Sequence, residues 1–338
     1  MGVNEHGLVI GNEAIFSRLP AATADGIIGM DLLRLALERA CDVDEAVDVM
    51  TSLLAQYGQG GNCGYQQPVI YENSFIISDE QGAKVLETAG REWVVRPVVD
   101  TYAISNTMTI EKEFSASSPA LKSAARQNQL WDGTGVLDFK SAFEDQSRLV
   151  TGEQRRRRAS QLLENMTGKI SVTDAFRVLR DHGEPTDEGG AGPGLCMHAK
   201  TDALGQTTAS LVSSLGGGKQ VHWVTGTAAP CISIFKPVTF ETGIPDHGAK
   251  PGADEEDVTS LWWRHMKLME RLLENGKGGL DVDSFVDERD ELEAGFVTTI
   301  DECPPPEDEQ SRDMLRTAVN DCWGKAMEFE NRWIEKCL

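Results

Sequence analysis

Between Ser74 and Ser105 the apolar residues change from helical spacing to alternation. Ser74–Asp79 and Ala83–Thr88, joined by a turn at Glu80-Gln81-Gly82, predict a hairpin, which Trp93–Val99 and Tyr102–Ser105 continue. Alternation sends successive side chains to opposite faces of a sheet. Segments of this kind in a row therefore predict an antiparallel meander whose apolar faces must be covered. Two helices precede it. The first spans Gly29–Ala40, with Leu32, Leu35 and Ala36 at helical spacing and Asp31 as its N-cap. The second opens at Asp42, carries Val47, Met50, Leu53 and Leu54 on one face, and stops at Gly58. Ahead of both, a turn at Asn4–Gly7 leads into an apolar strand that runs to Phe16.

Beyond the meander, residues 113–135 are polar and weakly patterned, and Gln146–Glu164 predicts a basic amphipathic helix. A shorter helix follows Ser171, whose spacing to Asp174 is that of a capping box. Residues 183–194 are rich in Gly and Pro and predict a loop. Three more strands are expected within 207–215, 221–225 and 231–240, then helices over 256–274 and 308–336, with Pro304-Pro305-Pro306 before the last. Strands, helices, strands and helices in that order predict an α+β sandwich with a helical C-terminal region. The expected division is a core over 1–245 and an acidic, mainly helical region over 246–338 packed on it.

The 54 acidic residues against 32 basic give a formal charge of −22, which repels phosphate and anionic lipid. Neither a nucleic-acid partner nor a membrane is expected. Seven cysteines in no paired spacing fit reduced thiols in the cytoplasm better than a disulfide framework. Oligomeric state is not set by the sequence.

Candidate chemistry is scattered. Cys63, in the loop Gly60-Gly61-Asn62-Cys63-Gly64, is a weak alternative nucleophile with no identifiable base. Cys196 and His198, two apart on an expected strand, share a face and make a dyad, half a metal site or a buried structural pair. His182, His222 and His247 have no partner spacing, so neither a metal nor a cofactor is expected. The run Arg155–Arg158 reads as a solvated face or as intramolecular ion pairs. Residues 281–288 fail as a calcium loop, because Phe285 and Val286 replace an oxygen ligand and the glycine.

Ordered pieces of the chain carry a resemblance. They are Asn4-Glu5-His6-Gly7-Leu8-Val9-Ile10-Gly11-Asn12-Glu13, Gly29-Met30-Asp31-Leu32-Leu33-Arg34, Tyr57–Gly61, Tyr71–Phe75, Ala103-Ile104-Ser105-Asn106, Cys196-Met197-His198, Thr207–Ser210, Trp223–Thr227 and Ile234-Phe235-Lys236-Pro237. Together they resemble the dipeptidase A and secernin family of N-terminal nucleophile cysteine hydrolases. The resemblance implies a four-layer αββα sandwich and hydrolysis of a small peptide or amide by the thiolate of a cysteine that begins the mature chain. It implies oxyanion or substrate contacts for Asn12 and Asn106, and motif positions for Asn4, Glu5, Gly7, Cys196 and His198. The family's nucleophile precedes the Asn-Glu-His-Gly turn, whereas this sequence starts at Met1 and Gly2. The expectation is thus a sandwich lacking its first strands, with no catalytic nucleophile in the chain as given. Three functions stay open: a dipeptidase or amidohydrolase, a non-catalytic short form that binds or regulates, and an acyltransferase using the same site.

Overall fold

A computed structural model describes residues 1–20, 25–64, 67–148, 151–166, 170–184, 194–198, 205–245, 255–273 and 280–336. The predicted loop 183–194 and the residue His247 lie largely or wholly outside these. The chain divides into two compact units, Met1–Asn165 and Met166–Leu338. Each combines helices with an antiparallel sheet, so the class is α+β.

In the first unit, β1 (Gly2–Val3), β2 (Val9–Ile15), β3 (Glu72–Ser78), β4 (Ala83–Ala89), β5 (Glu92–Pro97) and β6 (Ala116–Ser117) lie in chain order in one sheet. Alternation divides its side chains between two cores. Ile10, Phe75, Ile77, Leu86 and Val95 pack against Leu32, Leu33 and Ala36 of α1 (Gly29–Leu37) and Val47, Met50 and Leu53 of α2 (Val43–Tyr57). Their neighbours Val85 and Val94 face the other way. These join Ile15, Met108, Ile110, Leu121 of α3 (Leu121–Gln127), and Phe139 and Phe143 of α4 (Phe139–Phe143). The unit ends in α5 (Gly152–Glu164).

Local chemistry sets the boundaries. The Asp42 carboxylate accepts from Glu45 N at 2.9 Å at the start of α2, and the helix stops at Gly58, whose φ of 71° suits glycine. Asp42→Ala is expected to cost about 1 kcal/mol, read as a lower urea midpoint with an unchanged slope.

Two expectations are corrected here, and a short strand ahead of the Asn4–Gly7 turn joins the sheet, since Gly2 and Val3 pair with Ile10 and Val9. Asp31 is not the N-cap of α1; Ile28 holds that position without a side-chain bond, and Asp31 lies in the first turn, where its charge suits the helix dipole. Tyr102–Ser105 forms no strand, only a bridge from Ser105 to Thr107. The backbone just after it is satisfied by carboxylates instead: Met108 N bonds Glu144 at 2.7 Å, and Thr109 N and Ile110 N bond Glu87 at 2.7 and 3.0 Å. The outer partner of β5 is β6.

In the second unit, β7 (Leu211–Ser214), β8 (Val221–Val224) and β9 (Lys236–Val238) form a three-stranded sheet. With it come α6 (Val172–Leu179), α7 (Leu261–Leu273), α8 (Val282–Asp301) and α9 (Glu309–Glu335). One core joins Phe176, Trp223, Phe235, Leu268, Phe296 and Leu315, and Phe176 stacks on Phe235 with centroids 4.1 Å apart. The capping box of Ser171 and Asp174 forms as expected. Because β7–β9 share their core with the C-terminal helices, the division falls after Asn165 and not at 245. The failed calcium loop is the start of α8, with Asp281 accepting from Ser284 N at 3.1 Å as its N-cap. No helix among the described residues is long and apolar enough to cross a membrane.

Candidate active site

Glu13 and Asn12 are neighbours on β2 and so point to opposite faces of the sheet. On the face of Glu13 the chain returns through Asn106, which is anchored by the carboxylates that grip residues 107–110. Thr107 Oγ1 donates to Glu144 at 2.7 Å and Thr109 Oγ1 to Glu87 at 2.6 Å. Asn106 Nδ2 donates to Ala14 O at 2.9 Å and to Glu13 Oε2 at 3.3 Å, and its Oδ1 accepts from Arg155 at 2.5 Å. Arg155 also bonds Thr151 Oγ1. A Cβ on Gly152 would sit 2.4 Å from Asn106 O, so a glycine at the start of α5 is what lets this helix bring Arg155 to Asn106.

The electrostatics follow from burial. Burial pushes the Glu13 carboxyl up, opposed by the charge of Arg155, by the α-amine of Met1 and by the Asn106 bond. Burial pushes the Arg155 guanidinium down, opposed by Glu13. The Met1 α-amine is likewise lowered by burial and held up by Glu13. Burial also raises Glu87 against four hydrogen bonds that favour its charged form. An amide held between a carboxyl and a guanidinium is a fixed polar array, able to orient a peptide carbonyl and to meet charge that develops on it.

Asn12 lies apart from this array. Its Nδ2 donates to Asn73 Oδ1 at 3.0 Å and touches Met30 Sδ at 3.8 Å, and Asn73 in turn donates to Gln59 at 3.2 Å. A Cβ on Gly29 would sit 1.9 Å from Asn73 Oδ1, so the glycine that opens α1 makes room for this amide ladder. Cys63 belongs to the same neighbourhood. Its thiol bonds Tyr71, whose phenol is raised above the ordinary range by burial and by that contact, and Tyr71 Oη reaches Met30 Sδ at 3.4 Å. Nearby amides are already used: Cys63 N bonds Val69 O at 2.9 Å and Gly64 N bonds Asn62 at 2.9 Å.

The remaining motif residues have structural roles. Asn4 accepts from His6 N and Leu8 N, each at 3.1 Å, and donates to Leu37 O at 3.0 Å and Ala40 O at 2.8 Å, tying the turn to the end of α1. Gly7 has a φ of 81°, which explains a glycine there. Glu5 is exposed.

Of the arginine run, only Arg155 reaches Asn106. Arg156 and Arg157 pair with Glu153 at 3.0 and 2.8 Å, and Lys140 lies 3.3 Å from the same carboxylate. Burial would raise Glu153, but the bonds from Arg156 and Arg157 and the charge of Lys140 hold it down to about 2. A depressed carboxyl stabilises the fold above its ordinary value of 4.5 and loses that contribution as pH falls towards 2. Glu153→Gln is therefore expected to flatten the fall in urea midpoint between about pH 5 and about pH 3; an unchanged slope contradicts the pairing. Glu153 and Lys140 also line a polar cavity of about 710 Å³ with Arg96, Tyr102 and Arg156, and Asn106 is not among its lining residues.

In the second unit the fold gives His182 the partners that its sequence spacing did not reveal. His182 Nε2 lies 3.1 Å from His198 Nε2, which is 3.6 Å from Cys196 Sγ and 3.4 Å from Cys231 Sγ. Hydrogen bonds from Cys231, and from His182 and His198, pull the Cys196 thiol down to about 3 against burial, and Cys231 is correspondingly raised. Cys196 and His198 are thus half of a larger cluster.

Sequence reasoning missed Glu13 and Arg155 as site residues. Nothing within Arg155–Arg158 marks one arginine out, and only the helical phase of α5 selects it. Residues 2–157, nearly all of the first unit, match the model of peptidase family C69. The match covers the Asn4–Glu13, Gly29–Arg34 and Ala103–Asn106 motifs and is consistent with the dipeptidase A and secernin resemblance.

Proposed function

We propose that the chain supplies the substrate-binding and oxyanion side of a hydrolase that cleaves peptide or amide C–N bonds through a cysteine thiolate, within the four-layer αββα arrangement of the family. The observation that carries the reading is the contact of Asn106 with both Glu13 and Arg155 in a unit that matches peptidase family C69. The resemblance places the thiolate ahead of the Asn4–Gly7 turn. Its sulfur attacks the carbonyl carbon, and the C=O electrons move onto oxygen. Asn106 Nδ2 meets that oxyanion by exchanging its longer bond, the 3.3 Å contact with Glu13, for one to the substrate. Arg155, bonded to Asn106 Oδ1, adds a positive charge beside the amide that meets the oxyanion. Collapse expels the amine, which takes the proton that the nucleophile's own α-amine had drawn from the thiol, and water then releases the acyl group as a carboxylic acid and restores the thiol.

The test is hydrolysis of a panel of dipeptides and simple amides by the protein isolated from its own source, before and after alkylation with iodoacetamide. Cleavage that alkylation abolishes supports the reading. Transfer of the acyl group to an added amine in preference to water favours the acyltransferase, and binding of peptides without turnover favours the regulatory form.

A further inference from the structure

We propose that His182, Cys196, His198 and Cys231 form a structural Zn²⁺ site in the second unit. Their four ligand atoms lie within 4.8 Å of one another. A tetrahedral zinc, with Zn–S of about 2.3 Å and Zn–N of about 2.0–2.1 Å, sets its ligand atoms roughly 3.3–3.8 Å apart. The contacts of His198 Nε2, at 3.1, 3.4 and 3.6 Å, lie close to that spacing. Hydrogen bonding alone fits the cluster poorly. One ring nitrogen carries either one proton or one lone pair, yet His198 Nε2 faces two sulfurs and a second imidazole nitrogen. A divalent cation uses a lone pair from all four at once. Two thiolates neutralise its charge, and two thiolates with two imidazoles are a common donor set for closed zinc sites.

The frame around the four is already fixed by the chain. Cys196 N bonds Asp181 O at 2.9 Å, which sets residue 196 beside His182. Gly194 passes so close that a Cβ would lie 2.3 Å from the His182 backbone. Thr207 bridges to the third segment. Met197 N bonds Thr207 Oγ1 at 2.9 Å, Thr207 N bonds Met197 O at 3.0 Å, and Ala229 N bonds Thr207 O at 2.8 Å. The turn closed by Ile232 N to Ala229 O at 2.9 Å then presents Cys231, whose carbonyl accepts from Arg289. Side chains from three separated stretches are held at ligand distance by bonds that need no metal, the kind of supporting shell that metal sites use. The site lies outside residues 2–157 and does not depend on the hydrolase reading.

The test uses the full chain, purified under reducing conditions without chelator. Elemental analysis should find one zinc per chain that survives dialysis. Exchange with Co²⁺ should give the intense visible bands of a tetrahedral site with thiolate charge transfer. Cys196→Ser, Cys231→Ser and His198→Gln should each lower the zinc content from one equivalent towards none, and Cys41→Ser, at an exposed thiol, should leave it at one. If the ligand variants fail to fold, the cobalt spectrum and the rise in Tm on adding zinc to the unaltered apo-protein still decide. A reduced chain that binds neither zinc nor cobalt overturns the proposal. So does a Cys196–Cys231 disulfide found by mass spectrometry in protein from its own source.

Discussion

Asn106→Ala is expected to lower kcat for peptide hydrolysis by about 10²–10³-fold, the usual loss when one fixed oxyanion donor is removed. Position accounts for an effect of this size. Asn106 is held from behind by Ala14 O and from the side by Arg155, and the next residues are locked onto Glu144 and Glu87. The amide is therefore in place before substrate arrives. KM should change far less than kcat, because the donor acts mainly on charge that exists only in the transition state. Asn106→Asp keeps the size but puts an acceptor where a donor is needed, so it should be at least as damaging. Glu13→Gln, by contrast, keeps an acceptor for Asn106 Nδ2 and should retain most of the activity. Equal losses of kcat in Asn106→Ala and Glu13→Gln would point to general disruption of the site and away from an oxyanion role.

Glu293→Ala is expected to destabilise the second unit by about 3–5 kcal/mol, the range for breaking a buried ion pair from one side. Arg180, at the end of α6, reaches Glu293 of α8 with two bonds, at 2.8 and 2.7 Å. Both partners are buried, with side-chain exposures of 10% and 3%. The same carboxylate accepts from Phe235 N at 2.7 Å, so alanine also strands a backbone donor. Arg180 further bonds Pro230 O and Ser233 O at 2.8 and 3.0 Å and lies over the ring of Phe235 at 5.1 Å. With Glu293 gone, its charge would be left inside the unit with only the more distant, exposed Asp290 at 3.5 Å. Urea denaturation, followed by tryptophan fluorescence, measures the loss. Glu293→Gln, which keeps an acceptor for Phe235 N, should lose less; a change under 1 kcal/mol in the alanine variant would show that the pair contributes little.

The parts of this architecture that were legible in the sequence are those governed by local rules. Alternation exposed β3, β4 and β5, the apolar stripe of Val47, Met50, Leu53 and Leu54 exposed α2, and Ser171 with Asp174 announced α6. Helix α8 was missed because its buried face includes Arg289 and Glu293, so its apolar periodicity is broken by groups that bind Cys231 O and Arg180. The strand expected at Tyr102–Ser105 failed because the backbone that follows finds its partners in distant carboxylates, which no local pattern encodes.

The candidate sites follow the same division. Asn106 was legible through its motif, but its partners Glu13 and Arg155 meet it only once β2 and α5 are folded. Asn12 carried a weaker claim from the resemblance, and one step along β2 from Glu13 sends it to the other face of the sheet, among Asn73 and Met30. Cys196 and His198 were visible as a pair two residues apart. His182 and Cys231 join them through tertiary contacts alone, which is why a search by ligand spacing found no metal site.

A role for Asn106, with Glu13 and Arg155, in cleavage of a C–N bond would show in the rate at which an acyl-enzyme forms. The most direct measurement is single-turnover hydrolysis of a dipeptide by the protein from its own source, comparing the natural chain with Asn106→Ala produced in that source. An alkylation-sensitive acyl-enzyme should form about 10²–10³-fold more slowly in the variant. Acyl-enzyme formation at the natural rate in Asn106→Ala, or no acyl-enzyme from any peptide or amide in the natural protein, would contradict that role.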